Sequence, residues 1–156
     1  TKDLFQALTY SRKYFVVILP NNDPGNSEIN EVIKGLDTEK FRIIPSMRFN
    51  YFSELMKNSS IFIGNSSAGV REAPFLGIPS IDIGTRQTNR AKAKSVYKCE
   101  ASDINTIVDL INQNWNKRSD PDPSYGEGDA ATKFVEVLKD QQLWSIPLQK
   151  YFKENR

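Results

Sequence analysis

The sequence predicts an α/β domain built on a Rossmann-like, doubly wound parallel sheet. Three observations predict it. Short apolar runs recur along the chain, amphipathic stretches of helical period lie between them, and Gly, Pro, Asn and Asp punctuate the joins. Strands that alternate with helices of this kind need crossover connections, which place them parallel in a sheet covered on both faces.

The elements follow in order. "DLFQALTYSRK" sets Leu4, Phe5 and Leu8 on one helical face, so the chain starts in or at a helix, as a domain cut from a longer protein would. "YFVVIL", residues 14–19, is the first strand, ended by the turn-forming "PNNDPGN". "SEINEVIKGL" spaces Ile29, Val32, Ile33 and Leu36 as a helix that Asn26 or Ser27 can cap. "FRIIP" is the second strand, and "SMRFNYFSELMKNS" puts Phe49, Phe52, Leu55 and Met56 on the face of the next helix. "SIFIG" is the third strand, residues 67–76 the third helix of the alternation, "PSIDIG" the fourth strand and "SVYKCE" the fifth. "DINTIVDLINQNW" closes the alternation; an irregular Pro- and Asp-rich stretch leads to a last helix, "AATKFVEVLKD". Residues 1–140 therefore read as one domain. Residues 141–156, with Leu143, Trp144, Ile146, Leu148, Tyr151 and Phe152, read as a tail too apolar to be a free linker, packing back on the domain or on a missing partner.

Composition removes several functions. At 156 residues, 38% hydrophobic, 26% charged and net charge +2, the chain fits a single soluble core. No run reaches the roughly 18–20 apolar residues that cross a bilayer, and the polar start lacks signal-peptide order, so a cytoplasmic location without membrane attachment is expected. Basic residues are scattered, which argues against a nucleic-acid partner. The single cysteine, Cys99, forms no intrachain disulfide and reads as a buried thiol. With no histidine, the commonest general base and metal ligand are both missing; no metal and no cofactor are expected.

Ligands of open parallel α/β sheets bind at the carboxyl ends of the strands. There this chain carries Asn21, Asn22 and Asp23, then Ser46 and Met47, then Asn65, Ser66 and Ser67, then Thr85, Arg86 and Gln87. Gly64-Asn65-Ser66-Ser67-Ala68-Gly69 before a helix can cradle an anion such as a diphosphate on free N–H groups. Glu72 follows Ser66 by six residues, about 9 Å along a continuous helix at about 1.5 Å per residue, which suits a ribose whose diol its carboxylate would accept. Spacing alone equally allows Ser66 as a plain N-cap and Arg71 and Glu72 as solvated charges. Asp82 reads as a structural residue at an edge or end of the sheet, and Pro74 should bend the helix near Val70.

"IGNSSAGVREAPFLGIPSIDIGTRQTNR", with "LPNNDPGN" upstream and "SYGEGDAATKFVEVL" downstream, resembles the carboxyl-terminal half of the UDP-N-acetylglucosamine 2-epimerases, in particular the hydrolysing branch used in sialic-acid-type sugar synthesis. The resemblance covers almost the whole chain. It implies the C-terminal domain of a glycosyltransferase-B type two-domain fold, with a UDP-sugar such as UDP-N-acetylglucosamine in the cleft and the parent protein a homo-oligomer. It places Ser66 and Ser67, with Asn65 in their turn, at the diphosphate, Glu72 at the ribose, Arg86 in the UDP region, Ser46 and Met47 beside the uracil, and Asn21 in the cleft. It implies elimination of UDP and hydration of the resulting glycal to N-acetylmannosamine, by acids and bases of a missing N-terminal domain, so no catalytic residue is assigned here. A glycosyltransferase half of the same architecture is a rival, against which "GTRQ" argues. A flavodoxin-like or receiver module is another, but Gly64 and Asn65 stand where a receiver needs its phosphoacceptor Asp.

Overall fold

The computed structural model describes residues 1–20, 24–90 and 92–149. Contacts divide the chain into two compact units, Thr1–Ser124 and Tyr125–Arg156.

In the first unit, helix α1 (Lys2–Tyr10) buries Phe5, Ala7 and Leu8 and packs on α5 (Ile104–Asn114), which buries Ile107 and Ile111. The Asp103 carboxylate caps α5 by accepting from the Thr106 N–H at 3.1 Å. Strand β1 (Phe15–Ile18) pairs in parallel with β2 (Phe41–Ile44). Helix α2 (Asn26–Lys34) crosses between them and buries Ile33. Neither Asn26 nor Ser27 caps it. The N-cap is Gly25, and the Ser27 hydroxyl donates instead to the Glu28 carboxylate at 2.8 Å.

Helix α3 (Phe49–Lys57) begins at Phe49 rather than at Ser46, because the chain is still extended at its N-cap, Arg48. Met56 is buried and Phe52 and Leu55 are half-buried, but Phe49, expected on the same face, is 67% exposed at the first position of the helix. Strands β3 (Phe62–Gly64), β4 (Ser80–Ile83) and β5 (Val96–Cys99) form a second parallel ladder with β4 in the middle. The register sets Gly64 beside Asp82 and Asp82 beside Lys98.

The single five-stranded sheet of the sequence reading is thus two ladders, and no ladder joins β1 to β3 among the described residues. What unites them is side-chain packing. Phe15, Val17 and Ile43 share one core with Phe41, Ile61, Ile81, Ile107 and Ile111, and Phe15 stacks on Phe41 with centroids 5.7 Å apart. A second, smaller core of Met56, Ala68, Ala73 and Ile78, joined by Phe52 and Phe62, covers the other face of the second ladder. Cys99 is buried as expected, and burial pushes its thiol pKa up.

The predicted helix over 67–76 is broken. A 3-10 turn (Ser67–Gly69) is followed by the short α4 (Glu72–Phe75). Pro74 has no N–H to give to the Val70 carbonyl four residues back, so one helix cannot run through this stretch.

In the second unit, α6 (Ala130–Lys139) and α7 (Gln141–Trp144) bury no residue. The Asp140 carboxylate caps α7, and the Trp144 indole N–H donates to the Leu138 carbonyl at 2.9 Å. Trp144, Ile146 and Leu148 are exposed, whereas Tyr151 and Phe152 lie outside the described residues. Among the described residues no helix is long and apolar enough to cross a membrane, and no cluster of three His, Cys, Asp or Glu could hold a metal ion.

Candidate functional site

The site is built at the carboxyl ends of β3 and β4. Leaving β3, the chain is extended at Ser66, whose hydroxyl oxygen accepts the Ala68 N–H at 3.3 Å. Ser66 is therefore an N-cap, as one of the two sequence readings had it, and its hydroxyl hydrogen remains free to donate. The Gly69 N–H closes the turn onto the Ser66 carbonyl at 3.0 Å, while the N–H groups of Ser66 and Ser67 find no partner among the described residues. Two glycines shape this turn. A methyl group at Gly69 would stand 2.8 Å from both the Phe62 ring and Ser80 Oγ, so only glycine lets the turn lie down on β3 and β4. At Gly64 a methyl would meet open space, which leaves the end of the strand approachable.

Because the helix is broken, the span of about 9 Å from Ser66 to Glu72 along one axis does not apply, and a full helix dipole is absent. The turn offers individual N–H and O–H donors in place of a helix dipole. Glu72 is half-buried at the start of α4, and its Oε2 is buried without a hydrogen-bond partner among the described residues. A solvated helix charge would not leave a carboxylate oxygen in that state.

The loop after β4 is tied to this turn. Gln87, 1% exposed, donates from Nε2 to the Asn65 carbonyl at 2.9 Å and accepts from Arg90 Nη1 at 2.9 Å. This draws the Gly-Thr-Arg-Gln stretch beside Asn65, with Arg86 and Thr85 exposed next to it. Ser46, exposed, and Met47, half-buried, follow β2 in the other ladder, and no hydrogen bond joins them to the β3 turn among the described residues. Asn21 lies outside the described residues.

Asp82 is not at a sheet edge. It sits in the central strand of its ladder, 2% exposed, with neither carboxyl oxygen hydrogen-bonded among the described residues. Burial raises its pKa, opposed by the weaker attraction of Lys98. Gln87 and Asp82 are the two residues that pattern reading undervalued. Gln87 stood in a recognisable motif, but a side chain folded inward from a polar loop leaves no periodic signal.

A family model for UDP-N-acetylglucosamine 2-epimerase matches residues 1–139. This chain belongs to that family. It is 40% identical over 152 residues to the UDP-N-acetylglucosamine 2-epimerase of Neisseria meningitidis serogroup B, covering 95% of this chain and 40% of that protein. It is 27% identical over 151 residues to the UDP-N,N'-diacetylbacillosamine 2-epimerase (hydrolyzing) of Legionella pneumophila, covering 96% of this chain and 40% of that one. The fold matches the crystal structure of the Methanocaldococcus jannaschii UDP-GlcNAc 2-epimerase in complex with UDP-GlcNAc and UDP, with TM-score 0.71 and 16% identity, over 88% of this chain and 38% of that chain. The architecture is accordingly α/β and Rossmann-like, and the chain spans about 40% of the length of the curated relatives it matches. Family membership sets aside the glycosyltransferase and receiver readings.

Proposed function

We propose that this chain is the UDP-binding, carboxyl-terminal half of a hydrolysing UDP-N-acetylglucosamine 2-epimerase, in a glycosyltransferase-B type arrangement with a second, N-terminal domain. The observation that carries the reading is the pairing of donor and acceptor at the end of β3. Unpartnered N–H groups of Ser66 and Ser67 face the need of a diphosphate, and the buried, unpartnered Glu72 Oε2 faces the need of a ribose diol. Arg86, exposed in the loop that Gln87 ties to Asn65, adds a positive charge for the diphosphate. On the resemblance, Ser46 and Met47 are assigned to the uracil.

The chemistry divides between the halves. As the bond from the sugar to the diphosphate breaks, negative charge grows on the leaving UDP, and preorganised donors in the turn stabilise it there. Removal of the proton at the sugar C2 and protonation of the leaving group need acids and bases. We assign these to the partner domain, as the family resemblance implies, and expect the chain alone, which also lacks histidine, to turn over no nucleotide sugar. The hydrolysing branch is supported by the "GTRQTNR" stretch and by the name of the Legionella relative. The binding residues named here all fall in the unit Thr1–Ser124, and the exposed Trp144, Ile146 and Leu148 of the second unit suit a neighbouring surface.

Calorimetric titration with UDP, UMP and uridine tests the reading. UDP should bind more tightly than UMP and UMP more tightly than uridine, with affinity falling as salt rises. Equal binding of UDP and uridine would refute the diphosphate assignment.

A further inference from the structure

Strand β4 shows two different faces. Ile81 and Ile83 enter the large core with α5, so by strand alternation Ser80 and Asp82 share the opposite face. That face lies under the turn after β3, since a methyl at Gly69 would stand 2.8 Å from Ser80 Oγ. Asp82 is one pair further along, beside Gly64, where the turn begins. Both of its carboxyl oxygens and Ser80 Oγ are buried and unpartnered among the described residues. An ionised carboxylate without donors is strongly disfavoured in such a place. The strands on either side offer it little help: β3 contributes Phe62, Ile63 and Gly64, the turn contributes Ser67, Ala68 and Gly69, and α5 buries Ile107 and Ile111 in the core on the other face. Lys98 on β5, exposed and next to Asp82 in register, is a charged side chain whose attraction partly opposes the effect of burial.

We propose that Asp82 is a positioning residue of the nucleotide site, coupling the seating of a diphosphate on the Gly64–Gly69 turn to proton uptake, by at most one proton, at its buried carboxyl group. This rests on the reading of that turn as the diphosphate seat. Neighbouring strands lie about 4.8 Å apart, so an anion on the turn comes within roughly 8 Å of Asp82. At an effective dielectric constant near 20, one added negative charge at that distance moves a carboxyl group upward by about 1.5 pH units. Any fraction of Asp82 that is ionised before binding therefore takes a proton from solvent, forming one O–H bond on the carboxylate and breaking none in the protein. The neutral acid no longer repels the diphosphate from below.

The test is calorimetric titration of the full chain with UDP between about pH 5.5 and 8.5, in pairs of buffers that differ in ionisation enthalpy, for the native chain and Asp82→Asn. The terminal phosphate of UDP titrates near pH 6 and contributes to both, so the difference between the chains isolates Asp82. The native chain should take up more protons per UDP than the variant, by a fraction of one, and the excess should vanish at the acid end. Equal uptake in both chains across the range overturns the proposal. UDP binding no tighter than uridine removes the diphosphate seat itself, and the inference with it. Should Asp82→Asn fail to fold, carbon-13 titration of the native Asp82 carboxyl decides the matter: its midpoint should rise by about 1.5 pH units with UDP bound, and an unchanged midpoint overturns the coupling.

Discussion

The two ladders of the first unit are of similar length and both parallel, yet they are built to different tolerances. Every residue of β4 is buried, and its ladder is covered on both faces by separate cores. No residue of β1 is fully buried, and Val16 is 44% exposed opposite an exposed Arg42. The difference is informative because the enclosed strand β4 carries the unpartnered Ser80 Oγ and Asp82 carboxylate, with Glu72 Oε2 just after the adjoining turn, whereas beside the half-open ladder Asn30 Oδ1 of α2 is the one such atom among the described residues. A half-open strand could have solvated such groups cheaply. An enclosed one holds them only because surrounding packing enforces it, which is how strained or preorganised sites are maintained.

Several substitutions would break or sharpen this contrast. Ile81 has no exposed surface, and Ile81→Ala should cost about 2–5 kcal/mol of stability in urea unfolding, since it leaves a cavity between sheet and α5. A loss below 1 kcal/mol would mean that the enclosed ladder is looser than drawn. Next comes Glu72→Gln, which should leave unfolding almost unchanged while weakening UDP binding by about ten-fold to somewhat over a hundred-fold, the worth of a charge-assisted hydrogen bond. The 2′-deoxy nucleotide should lose affinity for the native chain and less for the variant. Unaltered UDP affinity would return Glu72 to a structural role.

Gly69→Ala forces a methyl against the Phe62 ring and Ser80 Oγ, and should cost about 1–3 kcal/mol while lifting the turn off the sheet. Its UDP affinity should fall as well, which separates it from Ile81→Ala, where the turn itself is untouched. Asp82→Asn bears on the pH dependence. Burial holds the folded pKa of Asp82 above its unfolded value. Below the unfolded value both states are protonated and native stability is complete; as pH rises toward the folded pKa, the unfolded chain ionises first and stability is lost. The Asn variant should thus unfold later than the native chain near neutral pH and lose that advantage on acidification, as thermal melts across pH would show. Smallest of all should be Val16→Ala on the half-open strand, within about 0.5 kcal/mol of the native chain. A larger loss would show that β1 is packed more like β4 than its exposure indicates.

Much of this was legible in the chain. The runs "YFVVIL", "FRIIP", "SIFIG", "PSIDIG" and "SVYKCE" each contain an observed strand, and the helical spacing of Ile29, Val32 and Ile33 marks α2, because burial against a sheet imposes those periods. The boundaries were less legible. Gly25 replaced Ser27 as a cap because the competing bond of Ser27 to Glu28 is a local matter that no pattern displays. The residues of the turn after β3 could be named from their types, and Pro74 put the interruption near Val70 as expected, though as a break into a 3-10 turn and a short helix where a bend was expected.

What the sequence determined by itself was the alternation of strand and helix, the absence of histidine chemistry, and the family, since the Gly-Asn-Ser-Ser, Glu-Ala-Pro and Gly-Thr-Arg-Gln elements stand in linear order and need no folding to be read. What the tertiary structure decided was which polar groups lack partners. Asp82 looks like an ordinary strand carboxylate until Gly64, Lys98 and the turn at Gly69 are brought around it, and Gln87 looks like a loop amide until it reaches Asn65. Desolvation depends on everything packed around a group, from residues far apart in the chain, so it arises only when the chain has folded.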